Sequence, residues 1–323
     1  MKTKKIIILL LCAVLIIGIV IYAVNQHSSK KRNDVAIPVL LYHNFVTTVP
    51  DSDPDNFNYI NTPESFEENI KTLLDNGYSI ISFKDLNDAY SGKSTLPNKP
   101  IIITFDDGYY SNYEHIYPIL KKYNVKASIF IVTSKIEKEL DGIKYLSWDN
   151  CLEMQNSGLV EIFSHSTNHI FYDKFPARRV RDDVKESYEE IEKHLGKQPL
   201  KVFAYPYGAY TKETVKALKN NGIDYQVYDI GINNFKDLDK SFIKRINIPC
   251  EMTGKEIIEI GILGTSPNPE PEERFISRRT SPNPGASRKP APEKGQKSQI
   301  MIPIFAIFTN IFLLKALILA CYN

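Results

Sequence analysis

The chain has 323 residues, 43% of them hydrophobic and 24% charged, with 40 Lys and Arg against 38 Asp and Glu. That balance permits a globular core and argues against a nucleic-acid partner, because no basic stripe interleaved with aromatics accompanies it. Cys12, Cys151, Cys250 and Cys321 are scattered with no C-x-x-C spacing, which points to neither a zinc knuckle nor a disulfide framework.

Residues 6–24 form an apolar run behind Lys2, Lys4 and Lys5, long enough to cross a bilayer as a helix. A cleavable signal is the alternative, but no small-residue cleavage site follows and the run is long for a signal core. Leu11 before Cys12 is unlike a lipoprotein signal. We therefore expect an uncleaved anchor and juxtamembrane segment over 1–32. Lys30, Lys31 and Arg32 compete with the N-terminal lysines in setting its orientation.

Residues 33–263 read as alternating strands and helices. Strands are expected over 35–42, 79–83, 100–105, 127–132, 160–164, 202–205, 225–228 and 242–248, mostly rich in apolar or β-branched residues. Helices are expected from Thr62-Pro63 to Gly77, over 112–123, from Ser147 to Gly158, over 178–195 and from Thr211 to Gly222. Thr62, Ser147 and Thr211 are N-cap residues, Pro63 suits the first helical position, and glycines stand at the stops. The alternation predicts an α/β fold with a parallel sheet, closed or nearly closed into a distorted (β/α) barrel. Catalytic groups of such barrels gather after the C-terminal ends of strands.

Beyond residue 263 the composition changes. Thr265-Ser266-Pro267-Asn268-Pro269 recurs as Thr280-Ser281-Pro282-Asn283-Pro284 in a stretch rich in Pro, Ser and charge over 264–299, too polar to bury a core. Residues 300–323 are apolar but interrupted by Pro303, Asn310 and Lys315. They read as a poor second membrane segment or as the product of a frameshift or fusion.

The polar clusters all follow expected strands. Asp106 and Asp107 end the strongest one. On an extended segment adjacent carboxylates point to opposite sides, so one can ligate a metal while the other serves as a base; an ordinary Asp-Asp-Gly turn is the bland alternative. His165 and His169 stand four apart, suited to joint ligation if the segment turns helically. With Asp107 they make a set of two histidines and one carboxylate, which leaves positions open for water and substrate. Zinc suits that set best, with cobalt or nickel as alternatives. His43 ends the first strand, where a lone histidine is as often structural as catalytic. The turn from Phe203 to Gly208 is either plain packing or a backbone N–H donor beside rings that face a sugar.

Together these residues resemble the carbohydrate esterase family 4, or NodB-type, polysaccharide deacetylases over roughly residues 35–248. Thr104-Phe105-Asp106-Asp107-Gly108 and His165-Ser166-Thr167-Asn168-His169 carry the resemblance. It implies Asp106 as general base, Asp107, His165 and His169 as metal ligands, and the Tyr207 N–H as oxyanion donor. Most members place a catalytic L-x-H histidine late in the domain. Here no histidine follows His194, and Leu41-Tyr42-His43 stands at the start. This resembles the circularly permuted branch that deacetylates poly-N-acetylglucosamine, and it implies His43 as general acid. Ala204 replaces the arginine that usually precedes the Pro-Tyr turn. The Asp-x-x-x-Trp element that orients the histidine elsewhere in the family has Asp229 as its only weak candidate. The implied protein is a membrane-held extracytoplasmic enzyme whose partners are an N-acetylated polysaccharide and the lipid bilayer.

Overall fold

The computed structural model describes residues 34–48, 59–228, 230–250 and 252–263. The expected anchor, the repeat-bearing tail, the apolar C-terminal segment and Asp229 lie outside the described residues. Among the described residues no helix is long and apolar enough to cross a membrane.

Eight parallel strands form the main sheet. They are β1 (Val39–Tyr42), β2 (Ser79–Ile80), β3 (Pro100–Phe105), β4 (Ala127–Ile131), β5 (Val160–Ser164), β6 (Val202–Ala204), β7 (Tyr225–Val227) and β8 (Ile246–Asn247). Their order is β7-β6-β5-β4-β3-β1-β8, with β2 attached to the start of β3. β8 pairs with Leu40–Leu41 of β1, while Ile243, just before it, bridges to Val227 of β7. A two-residue strand and one bridge thus complete the circuit. The last strand is shorter than expected because Lys244 and Arg245 intervene between its two attachments.

Among the described residues, seven α-helices, with a π-helical turn leading into one of them, pack on the barrel: α1 (Pro63–Asp75), α2 (Phe83–Tyr90), α3 (Tyr117–Tyr123, after the π-helical Asn112–Ile116), α4 (Trp148–Asn156), α5 (Ala177–Leu195), α6 (Lys212–Asn220) and α7 (Gly254–Leu263). The caps act as expected: Thr62 accepts from Ser65 N, and Ser147 and Thr211 close capping boxes.

Strand parity sorts the core into two. Ile101, Ile103 and Phe105 of β3, with Leu40 and Tyr42 of β1, pack outward under the helices. Val39, Ile102, Phe130, Phe163, Val202 and Val227 fill the interior, because side chains alternate along a strand. Phe83 of α2 plugs the barrel, edge-on to Phe130 and Phe163. Beside it, the half-buried Glu161 of β5 accepts hydrogen bonds from Phe83 N, Lys84 N and Ser128 Oγ. This carboxylate caps α2 from another strand, where the helix dipole favours negative charge.

Candidate active site

The parity that fills the barrel also loads its mouth. Two residues beyond Ile102 and Thr104 comes Asp106; two beyond Val39 and Leu41 comes His43; two beyond Phe163 comes His165; two beyond Ile243 comes Arg245. Four strands therefore deliver one carboxylate, two imidazoles and one guanidinium to a single opening.

Asp106 and Arg245 are 2% and 1% exposed. The guanidinium grips the carboxylate with two parallel bonds, Nη1 to Oδ1 and Nη2 to Oδ2, each 2.7 Å. Burial alone would push the Asp106 carboxyl up. The charge of Arg245 and then that of His165, together with the Arg245 hydrogen bonds and a contribution from His43, outweigh it and hold the group far below the usual carboxylate range. Arg245 was not among the residues singled out from the sequence. Its signal was there: an arginine at interior parity on an apolar strand requires a buried anion.

Asp107 departs from extended backbone, with φ of 71°, and swings its carboxylate back toward the same mouth. Gly108 follows with positive φ, and a Cβ there would lie 3.0 Å from Ile131 Cγ2, so the turn needs glycine. Tyr109 Oη donates to Asp107 Oδ2 at 3.0 Å. Asp107 Oδ1 is buried and accepts no hydrogen bond; His169 Nε2 lies 3.1 Å and Lys135 Nζ 3.6 Å from it. Burial opposes ionisation of Asp107, but the neighbouring His169, His165 and Lys135 prevail and lower its pKa.

The two histidines meet by a route other than helical spacing. The segment after β5 is an irregular turn with Ser166 at φ 80° and His169 at φ 51°, and the two rings come within 4.9 Å. Asp183 of α5 organises it, accepting from Thr167 N, Asn168 Nδ2 and the Tyr172 hydroxyl. Ser166 Oγ accepts from His169 N. His165 Nδ1 lies 2.9 Å from the Ala204 carbonyl. A carbonyl can only accept, so Nδ1 carries a proton, and in the neutral ring Nε2 keeps its lone pair. Burial and then the neighbouring His165 push the His169 imidazole down to about 3, so it is neutral at physiological pH.

Asp107, His165 and His169 each offer a ligand atom, all within 4.8 Å of one another. A carboxylate oxygen without a hydrogen bond, a neutral imidazole and a second imidazole locked in the ligating tautomer are what a divalent cation requires. The residues fit the metal that the sequence pattern implies. Asp107, Ser166, His169 and Tyr207 all hold left-handed φ; strain of this kind clusters where function demands it.

His43 packs edge-on against Tyr59, its carbonyl accepts from Asn112 Nδ2, and its charge acts on both Asp106 and Asp107. Tyr207, after β6, has φ of 58°, and its hydroxyl meets His169 Nδ1 at 3.1 Å. The sequence-derived residues are thus gathered at one mouth, joined by Arg245, Tyr109 and Asp183.

A family model for polysaccharide deacetylase matches residues 93–226. The poly-beta-1,6-N-acetyl-D-glucosamine N-deacetylase of Staphylococcus epidermidis is 27% identical over 212 residues, covering 63% of this chain and 70% of that protein. Among solved structures, the Streptococcus pyogenes deacetylase PplD in complex with acetate aligns with a TM-score of 0.62 at 26% identity, over 70% of this chain and 98% of that one. IcaB from Ammonifex degensii aligns at 0.60 and 25% identity, over 72% and 97%. The chain carries a polysaccharide deacetylase domain similar to those of carbohydrate esterase family 4, hydrolases that are metal-dependent as a family.

Proposed function

We propose that this chain removes N-acetyl groups from an extracellular N-acetylglucosamine polymer, poly-beta-1,6-N-acetylglucosamine in preference to peptidoglycan or chitin-type chains, with zinc as its metal. The observation that carries the reading is the buried Asp106–Arg245 pair set beside the Asp107, His165 and His169 group, with a histidine brought in by the first strand. The relatives named for the beta-1,6 polymer support the substrate choice. The apolar run at 6–24 supports a membrane-held domain facing outward.

Asp107, His165 and His169 would hold the ion, which would supply Lewis acidity at the acetyl carbonyl and at a water, enough for a weakly basic carboxylate to serve. Asp106, kept ionised and fixed by Arg245, accepts the water proton as the water oxygen bonds to the acetyl carbon. The Tyr207 N–H donates to the oxyanion. His43 delivers a proton to the sugar nitrogen as the C–N bond breaks. The products are acetate and a free amine on the polymer.

Acetate release by the full-length chain from beta-1,6-linked N-acetylglucosamine, chitin oligomers and peptidoglycan, with and without chelator and with zinc restored, tests the reading. Fastest release from the beta-1,6 polymer, abolished by chelation, is expected. Faster release from either other polymer would displace the substrate assignment and leave the chemistry in place.

A further inference from the structure

Phe171 lies two residues past His169. Its ring stacks on Tyr207 with centroids 3.9 Å apart and planes within 8°. Tyr207 also meets a metal-ligand residue: the His169 ring lies 4.6 Å away, tilted by 59°, and the Tyr207 hydroxyl is bonded to His169 Nδ1. The three rings form a stair that begins at a metal-ligand residue and ends at Phe171. Phe171 is nonetheless 48% exposed and Tyr207 47%, whereas most other aromatic rings among the described residues are buried.

We propose that the outer face of Phe171 is a binding platform for the sugar ring next to the one being deacetylated. The proposal rests on the polysaccharide reading above and adds to it a subsite and a residue. Three features favour a sugar as the occupant. A pyranose presents an apolar C–H face the size of a phenyl ring, and burying that face against an aromatic removes apolar surface from water. Phe171 has no polar atom, so it recognises shape and apolarity without regard to substituents, as suits a repeating polymer. The ring is also held in advance: Tyr207 is fixed by its hydroxyl bond and by left-handed backbone, and Phe171 lies flat on it, so little side-chain freedom is lost on binding. The reacting sugar must place its acetyl group at Asp106 and the metal ligands, and the stair carries its neighbour to Phe171.

The platform should be felt only by substrates long enough to reach it. Full-length wild type and Phe171→Ala, Phe171→Leu and Phe171→Trp are compared on N-acetylglucosamine monomer, dimer and trimer by acetate release, with thermal melts to confirm folding. Wild type is expected to gain in kcat/KM as the substrate lengthens. Phe171→Ala flattens that gain by about 10-fold at the trimer, as aromatic contacts of this size imply, mainly through KM. Phe171→Leu falls between, and Phe171→Trp retains the gain. An equal proportional loss on monomer and trimer would make Phe171 a prop for Tyr207 and overturn the proposal. So would an unchanged length dependence in folded Phe171→Ala and Phe171→Leu. Wild type that releases no acetate from any oligomer would overturn the polysaccharide reading, and the platform with it.

Discussion

At the scale of single residues, the site turns on one buried ion pair and one histidine from an unusual place in the chain. Arg245 holds Asp106 bidentately, and both are almost fully buried. Removing one partner of such a pair leaves an uncompensated charge, at a cost of about 3–5 kcal/mol. Arg245→Gln is therefore expected to lower the unfolding midpoint sharply. Arg245→Lys keeps the charge but loses the fork geometry; it should stay folded and lose turnover by about 10- to 100-fold through misplacement of the carboxylate. Full turnover in folded Arg245→Lys would remove the positioning role. His43→Ala should fold and bind metal normally, and lose more activity on amides than on activated esters, because a good leaving group needs less help from an acid. Equal losses on both substrates would assign His43 to binding instead. Asp106, Asp107, His165, His169 and His43 were legible because chemically rich residues stood directly after apolar strands. Arg245 was overlooked because its strand is short and its neighbour Lys244 makes the pair read as a solvated charge run; only the inward parity shared with Ile243 separates the two.

At the scale of elements, the strands were legible and two helices were not. Pro100–Phe105 and Ala127–Ile131 are largely apolar runs, interrupted by Thr104 and Ser128 and buried on both faces, which is how parallel barrel strands read. The sequence hides α2 because Phe83, one residue past the apolar Ile80-Ile81 pair, reads as a continuation of the strand. Yet Ser82 and Asp85 form a reciprocal capping box, a start signal present in the sequence. What no local pattern reveals is the second cap, because Glu161 lies 78 residues from Phe83 along the chain. Burial raises the Glu161 pKa despite the hydrogen bonds from Lys84 N, Ser128 Oγ and Phe83 N, which act the other way. A carboxyl whose pKa is higher in the folded state than in the unfolded chain binds its proton more tightly when folded. Its contribution is fully present below the unfolded value of about 4.3 and is lost as pH rises through the folded one. Urea midpoints of wild type and Glu161→Gln measured from pH 4 to 7 should therefore diverge, the variant losing less stability than wild type as pH rises. A constant difference across that range would show that the carboxylate is comfortable when charged and that its role is purely that of a cap.

At the scale of the whole molecule, the question is where the working domain stops. Composition placed the boundary at residue 263 on the strength of the repeat beyond it, without foreseeing the helix that precedes it. α7 belongs to the barrel. Ile257 and Ile260 are buried in the outer core, and Gly254 sits so close to α1 that a Cβ would lie 2.6 Å from Thr72 Cβ. The segment leading into α7 is tied down by Asn69 Nδ2, which donates to the Met252 carbonyl at 3.1 Å, and Asn61 Nδ2 likewise holds the Ile248 carbonyl at 2.9 Å. α7 therefore braces α1, which packs behind β1, the strand that presents His43. Two truncations separate the domain from the C-terminal tail. A chain ending at Leu263 keeps every one of these contacts, and its acetate release and thermal midpoint in detergent should match those of the full-length protein. A chain ending at Met252 loses Ile257 and Ile260, whose burial is worth about 1.5–3 kcal/mol each. It should unfold several degrees earlier or fail to accumulate, with turnover falling alongside. A large fall in turnover for the chain ending at Leu263 would show that residues beyond 263 complete the active domain. A stable, fully active chain ending at Met252 would show that α7 is an accessory to the barrel.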